Sequence, residues 1–371
     1  MAIAAVLLAG GLLVLAVGAD QLVIGASRLA FARGISPVVI GALVIGFGTS
    51  APEMLVSGLA AADGNVDLGV GNIVGSNVAN LSLALGVSAL VGAVAVSGRY
   101  IRVARSTLLR EGVISVAAAL LFWVLVQGGL ERWEGIVLLV AFAMAMAVIL
   151  IRPAHDGEAA RGGHVEKRTG QLAAQSPRRG EGTADAAPSR KPTSQRLELG
   201  RTVLGLAATV LGAQLAVTGA VDIAEEVGLG SGFVGLSLVA FGTSLPELIT
   251  GVQAARRGEA DLLVGNILGS NTFNSLLGGA VVALVGPGPL VDGNLSGLAV
   301  WIMVGISVIA WVLMFEGDGL ERWWEGALLV AVYLVSLPFL VSDHEEGAAV
   351  AAPSAAVAAA PDADGSGFIS P

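Results

Sequence analysis

Phe47-Gly-Thr-Ser-Ala-Pro-Glu53 returns at a constant offset as Phe241-Gly-Thr-Ser-Leu-Pro-Glu247. Gly71-Asn-Ile-Val-Gly-Ser-Asn-Val-Ala-Asn80 returns at that same offset as Gly265-Asn-Ile-Leu-Gly-Ser-Asn-Thr-Phe-Asn274. Residues 47–86 align on 241–280 without a gap, and roughly half of the positions are identical, far above chance for two apolar stretches. The register extends back to Gly18-Ala19 and Gly212-Ala213. Further along, Leu130-Glu-Arg-Trp-Glu-Gly135 reappears as Leu320-Glu-Arg-Trp-Trp-Glu-Gly326. The chain is an internal duplication.

Around this repeat the composition is that of a membrane protein. Of 371 residues, 55% are hydrophobic and 13% are charged, with a mean hydropathy of +0.81, where a soluble domain carries about 25% charged residues. Apolar run lengths and the turn signals between them predict ten spans, at 2–26, 36–60, 66–92, 107–127, 134–151, 200–224, 231–255, 261–285, 296–315 and 325–342. The first apolar segment lacks a basic leader and a cleavage site, and reads as a retained helix. Five spans per half is an odd number, so the second half enters the bilayer from the opposite side. The expected fold is therefore an all-α integral membrane protein of about ten helices in two inverted five-helix repeats, at 1–151 and 200–342. Residues 152–199, rich in Arg, Gly, Ser, Pro and Ala, are expected to form a flexible linker, and 343–371 a disordered tail.

Charge gives the orientation independently. With the N-terminus outside, Arg28, Arg33, Arg99, Arg102, Arg105, the linker, Arg256 and Arg257 all face the cytoplasm. The outer loops then hold Asp63, Asp67, Asp222, Glu225, Glu226 and Asp292, with Arg132 their one basic residue. Positive-inside bias thus predicts a multi-pass protein of the plasma (inner) membrane, with both termini extracytoplasmic and residues 152–199 cytoplasmic.

Thiolate chemistry is excluded because there is no cysteine. The three histidines, His155, His164 and His344, lie in the linker and tail, which excludes a histidine-based zinc site within the spans. Glu53 and Glu247 are different. Each sits well inside an apolar span, where a carboxylate costs about 2.5–3.5 kcal/mol on insertion scales. Two of them at equivalent repeat positions mark a pathway. Thr49 lies one turn before Glu53 with Ser50 beside it, and Thr243 and Ser244 repeat the pattern before Glu247. Pro52 and Pro246 cannot donate a backbone hydrogen bond, and they free the carbonyls of Gly48 and Gly242. Carboxylates, hydroxyls and freed carbonyls form an all-oxygen set of the kind calcium and sodium accept.

The second motif adds Ser76 and Asn80 on one helix face, with Ser270 and Asn274 as their mates. Asn80 and Asn274 read as neutral ligands or as interhelical glue. Asn72, Asn266, Asn77 and Asn271 are expected to serve packing, as are Gly71, Gly75, Gly265 and Gly269. Asp20 becomes Gln214 in the second half and reads as a packing or pathway residue. The two Glu-Arg-Trp segments read as interfacial anchors.

GTSxPE paired with GNIxGSNxxN, duplicated in inverted halves, resembles the alpha-repeats of the sodium/calcium exchanger family. The resemblance implies that Glu53 and Glu247 bind calcium between them, with the carbonyls of Thr49 and Thr243. It further implies that sodium uses Ser50, Ser76, Ser244, Ser270 and the backbone oxygens of Gly46 and Ala240; Asn80 and Asn274 stand beside these as candidate ligands from the residue pattern alone. Family members with potassium dependence carry Asp where this chain has Asn274, so the resemblance implies potassium-independent exchange. Sodium and calcium are then transported cargo rather than cofactors, no cofactor is expected, and the partners are these ions and the lipid bilayer, with no nucleic acid. Helices one and six are implied to slide across the bundle. Calcium or another divalent cation exchanged for protons is the alternative. An intramembrane hydrolase using the paired carboxylates is the rival from another class, and it lacks an accompanying Ser/His arrangement or Asp pair.

Overall fold

A computed structural model describes residues 1–95, 101–151, 194–226, 240–316, 319–320 and 322–341. Helix α1 (Ala2–Arg33) is followed by a broken pair, α2 (Pro37–Thr49) and α3 (Ala51–Ala62), bent by 43°. Then come α4 (Val66–Val94), strand β1 (Ile101–Arg102), α5 (Arg105–Gly128) and α6 (Arg132–Leu150). The second half holds α7 (Gln195–Glu226), the short α8 (Ala240–Thr243), α9 (Leu245–Arg257) and α10 (Ala260–Val285). It closes with α11 (Gly293–Glu316), β2 (Gly319–Leu320) and α12 (Trp323–Val341).

Eight of these helices are long and apolar enough to cross a bilayer, and the broken α2–α3 makes nine. Helices α8 and α9 are the mate of that broken pair in the second repeat. Residues 227–239, which would complete the tenth span, lie outside the described residues. So do residues 152–193 of the expected linker, Ser342, and the expected tail at 343–371. Residues 195–199, taken from sequence as the end of the linker, are the first turn of α7. Their polar content misled the span boundary, because Glu198 is buried between two arginines rather than solvated.

Helices α4 and α10 form the centre. Their apolar windows are 67% and 83% buried, against 22% in α6 and α12 at the periphery. The inversion is visible in how α1 meets its own mate, α7. Gly11 faces Ala216 and Gly212, Gly18 faces Thr209, and Gly25 faces Thr202. Numbers rise along one helix as they fall along the other, so the two run antiparallel. Glycines recur every seventh residue on both, at 11, 18 and 25 and at 205, 212 and 219. A Cβ on Gly11, Gly18 or Gly25 would fall 2.3, 2.6 or 2.8 Å from a backbone nitrogen of α7. On Gly205, Gly212 or Gly219 it would fall 2.5, 2.3 or 2.5 Å from one of α1. Only a bare backbone allows this approach, which gains dispersion contact that lipid cannot replace.

The connecting segments sort into two ends. At one, β1 pairs antiparallel with β2, and Ser27 and Asp20 of α1 meet Glu259 and Arg257 at the α9–α10 turn. The start of α7 lies at this same linker end. At the other, Leu130 pairs with Gly288, and Asp67 accepts from the backbone nitrogens of Val291 and Asp292. The Glu-Arg-Trp segments, expected as interfacial anchors, also start helices. Glu131 and Glu134 form a reciprocal cap on α6, and Glu325 accepts from the Arg322 backbone nitrogen at the start of α12.

The seven-residue glycine stripe gives a graded expectation. Gly18→Leu should destabilise the purified protein by about 1–3 kcal/mol through overpacking, read as a lower melting temperature. Gly10→Leu, with open space beside it, should melt at or above the parent temperature.

Candidate functional site

The two proline motifs bend the backbone at equivalent points. Ser50, between α2 and α3, has φ −83° and ψ −1°, and Ser244, between α8 and α9, has φ −89° and ψ 2°. Each serine ends one helical segment and begins the next, with the proline in the first turn of the new helix, where its missing N–H costs nothing. The break points the hydroxyls and the following carboxylate into the bundle. A π-helical turn then sits at the same place in each half, Ala79–Ala84 in α4 and Phe273–Gly278 in α10. These wider turns carry Asn80 and Asn274, and π-turns inside α-helices are frequent at functional sites.

The halves exchange contacts. Ser50 of the first repeat donates to Glu247 Oε1 of the second at 2.9 Å. Ser244 of the second donates to Glu53 Oε1 of the first at 3.5 Å. Ser270 reaches Glu247 Oε1 at 3.5 Å and the Gly46 carbonyl at 3.3 Å. Thr49 Oγ1 donates to the Ile45 carbonyl at 3.0 Å and lies 3.4 Å from the Gly46 carbonyl and from Asn266 Oδ1. The carboxylates therefore meet across the pseudo-twofold axis. Glu53, Glu247, Thr49, Ser50, Ser76, Ser270, Asn80 and Asn274 are all at most 2% exposed, and Ser244 is buried. Thr243 is half-buried, and Ala240 opens α8, the short helix of the second motif.

What is left unpaired is as informative. Glu53 Oε2, Glu247 Oε2, Ser76 Oγ and both amide atoms of Asn80 and of Asn274 are buried with no hydrogen-bond partner among the described residues. Buried polar atoms are nearly always paired in folded proteins. Seven orphans thus fall on five side chains of the two motifs.

The remaining amides behave differently. Asn72 Nδ2 donates to the Glu53 carbonyl at 3.1 Å and to Ser57 Oγ at 2.9 Å. Asn266 Nδ2 donates to Thr250 Oγ1 at 3.1 Å, and Thr250 in turn donates to the Pro246 carbonyl at 2.6 Å. These two hold the carboxylate-bearing helices against α4 and α10. Asn271 Nδ2 donates to the Asn77 carbonyl at 3.1 Å and Asn77 Nδ2 to Ser275 at 2.8 Å, which ties α4 to α10. Packing is the role expected of all four. Ser57 and Thr250 were missed from sequence, because they do not occupy equivalent repeat positions and so gave no duplicated signal. Gly265 and Gly269 do allow close packing, with hypothetical Cβ atoms 2.3 Å from the Val38 carbonyl and 2.7 Å from the Ala42 Cα. The segment that would face Gly71 and Gly75 by symmetry falls within 227–239, outside the described residues.

The sequence profile of the family described as sodium/calcium exchanger protein matches residues 3–151 and 198–342. The chain belongs to the sodium/calcium exchanger family. Among its relatives, the putative antiporter CaxA of Alkalimonas amylolytica is 32% identical over 337 residues, covering 90% of this chain and 97% of that protein. The sodium/calcium exchanger MaX1 of Methanosarcina acetivorans is 30% identical, covering 89% and 96%. A solved structure of the sodium-calcium exchanger NCX_Mj soaked with Na+ and Ca2+ superposes with a TM-score of 0.71 at 27% identity, over 90% of this chain and 97% of that one. This exchanger is accordingly a multi-pass membrane cation/calcium antiporter.

Packing amides and pocket amides should part company in a stability assay without sodium or calcium. Asn72→Leu and Asn266→Leu break made hydrogen bonds in the interior and should each cost about 1–3 kcal/mol. Asn80→Leu and Asn274→Leu remove orphaned amides and should leave the melting temperature unchanged or raised.

Proposed function

We propose that this exchanger swaps sodium for calcium by alternating access, with calcium held between Glu53 and Glu247. One observation carries the reading: two buried carboxylates, each with one oxygen hydrogen-bonded across the repeat interface and the other without a partner. Two ionised carboxylates in a low-dielectric interior need compensating positive charge, and none of the described arginines contacts either of them. One Ca2+ neutralises the pair, and so do two Na+. A third Na+ would leave one positive charge and make each cycle electrogenic.

Calcium takes 6–8 oxygens at about 2.3–2.6 Å. In this reading Glu53 and Glu247 supply the charged ones, and the Thr49 and Thr243 carbonyls add neutral ones. Sodium is assigned to Ser50, Ser76, Ser244 and Ser270 with the carbonyls of Gly46 and Ala240, and Asn80 and Asn274 are assigned to the same site. Asn274 contributes an oxygen without charge, which supports exchange that does not require potassium. The arginine-rich linker end is assigned to the cytoplasm and the acidic end to the outside.

Proteoliposomes loaded with sodium and diluted into sodium-free buffer should take up radiolabelled calcium, faster when the interior is held positive. Added potassium should have no effect. Glu53→Gln and Glu247→Gln each remove one of two charges from a buried site, a loss of about 3–5 kcal/mol, and should lower uptake at least about 100-fold. Uptake driven by a pH jump with no sodium present would replace sodium with protons as the coupling ion. Sodium-driven uptake retained in either glutamine variant would overturn the site assignment.

A further inference from the structure

From Gly18 to Gly86 the repeats are related by a constant offset, so a contact within that stretch has a symmetric position at the other end of the bundle. Gly258, in the α9–α10 turn, and Gly64, in the α3–α4 turn, are mates with positive φ of 70° and 81°. The contacts around them do not match. At the linker end Arg257 Nε donates to Asp20 Oδ1 at 2.9 Å, and its Nη2 donates to the same oxygen. Two turns further along α1, Ser27 Oγ donates to Glu259 Oε1 at 2.7 Å. These two contacts bind α1 to the turn that follows the Glu247 helix. Their mates at the far end are Gln214 for Asp20, Asp63 for Arg257, Val221 for Ser27 and Asn65 for Glu259. Neither the ion pair nor the serine–carboxylate bond can form there.

The cavities follow the same asymmetry. At the far end a vestibule of about 260 Å³ opens between α7 and the motif helices, lined by Gln214, Val217 and Asp222 of α7 and by Pro52, Thr243 and Pro246. At the linker end the corresponding space is filled. Val23, the mate of Val217, and Thr49, the mate of Thr243, are both 0% exposed. Helix α1 packs closely along α9, whereas α7 makes few contacts with α3, the mate of α9.

We propose that Asp20–Arg257 and Ser27–Glu259 form a latch that shuts the linker end of the ion pathway, and that its unmatched counterpart leaves the far end open at rest. An inverted repeat with two equal gates would populate both orientations equally. Contacts present in only one of them shift that balance by their own differential free energy, and by no more. The latch residues touch no transported ion and act only on which side the site faces. This inference rests on the alternating-access reading above, and its test needs neither transport nor the identity of the coupling ion.

The chain has no cysteine, so single cysteines at Val217 and at Val23 report each end without a background. In purified protein free of sodium and calcium, Val217→Cys should react rapidly with a polar maleimide and Val23→Cys slowly. Adding Asp20→Asn or Arg257→Gln should raise the Val23→Cys rate and lower the Val217→Cys rate. The ion-pair side chains are 30% and 37% exposed, so each change is limited to about 5-fold. The charge swap Asp20→Arg with Arg257→Asp should restore the parental rates. Unchanged rates at both positions, or a rise at both together, would overturn the latch. Failure of sodium-driven calcium uptake would leave this result standing.

Discussion

Two carboxylates that share a dry interior repel one another, and the rest of the site answers that repulsion. Serine hydroxyls from the opposite repeat take one oxygen of each, Ser50 on Glu247 and Ser244 on Glu53. The second oxygens have no partner among the described residues, and the proposed exchange gives them to a cation. Positive charge from the protein would quench the site permanently, whereas exchangeable cations quench it in turn. The helix breaks at Ser50 and Ser244 serve the same end. They turn hydroxyls and carboxylates inward at mid-bundle, where irregular backbone is tolerated only if protein or a cavity surrounds it.

Duplication supplies the second carboxylate, and inversion aims it at the first. The antiparallel contact of α1 with α7 shows that inversion at the level of atoms. Six glycines at a seven-residue spacing let the two backbones touch along most of their length. A continuous contact of that kind favours movement of the pair as a body over separation of its members. The centre behaves differently: α4 and α10 are tied by Asn77, Asn271 and Ser275 and hold the motif helices through Asn72 and Asn266. Symmetry governs the ion site, while departures from it, such as Arg257 opposite Asp63, distinguish the two ends.

Much of this was legible in the residues. Repetition exposed the duplicated Glu53 and Glu247, the odd span count exposed the inversion, and arginine placement sorted the connecting segments into the two ends seen in the structure. Proline position located the breaks. The π-helical turns at Asn80 and Asn274 were not legible, because a one-residue widening leaves no mark in apolar periodicity. Asp20 was read as a packing or pathway residue. Its ion pair with Arg257 joins residues far apart in sequence, and only one half of the repeat carries it, so duplication gave no hint. Glu198 misplaced the start of α7 for a related reason: its charge suggested solvent, while Arg28 and Arg201 allow its burial.

Locating the divalent ion itself tests the central claim most directly. Crystals of the protein grown without sodium and soaked in calcium or strontium should show one anomalous peak between Glu53 and Glu247, coordinated by an oxygen of each. Soaking the same crystals in sodium should remove it. A peak bound elsewhere, or a site still empty at saturating calcium, would contradict the account.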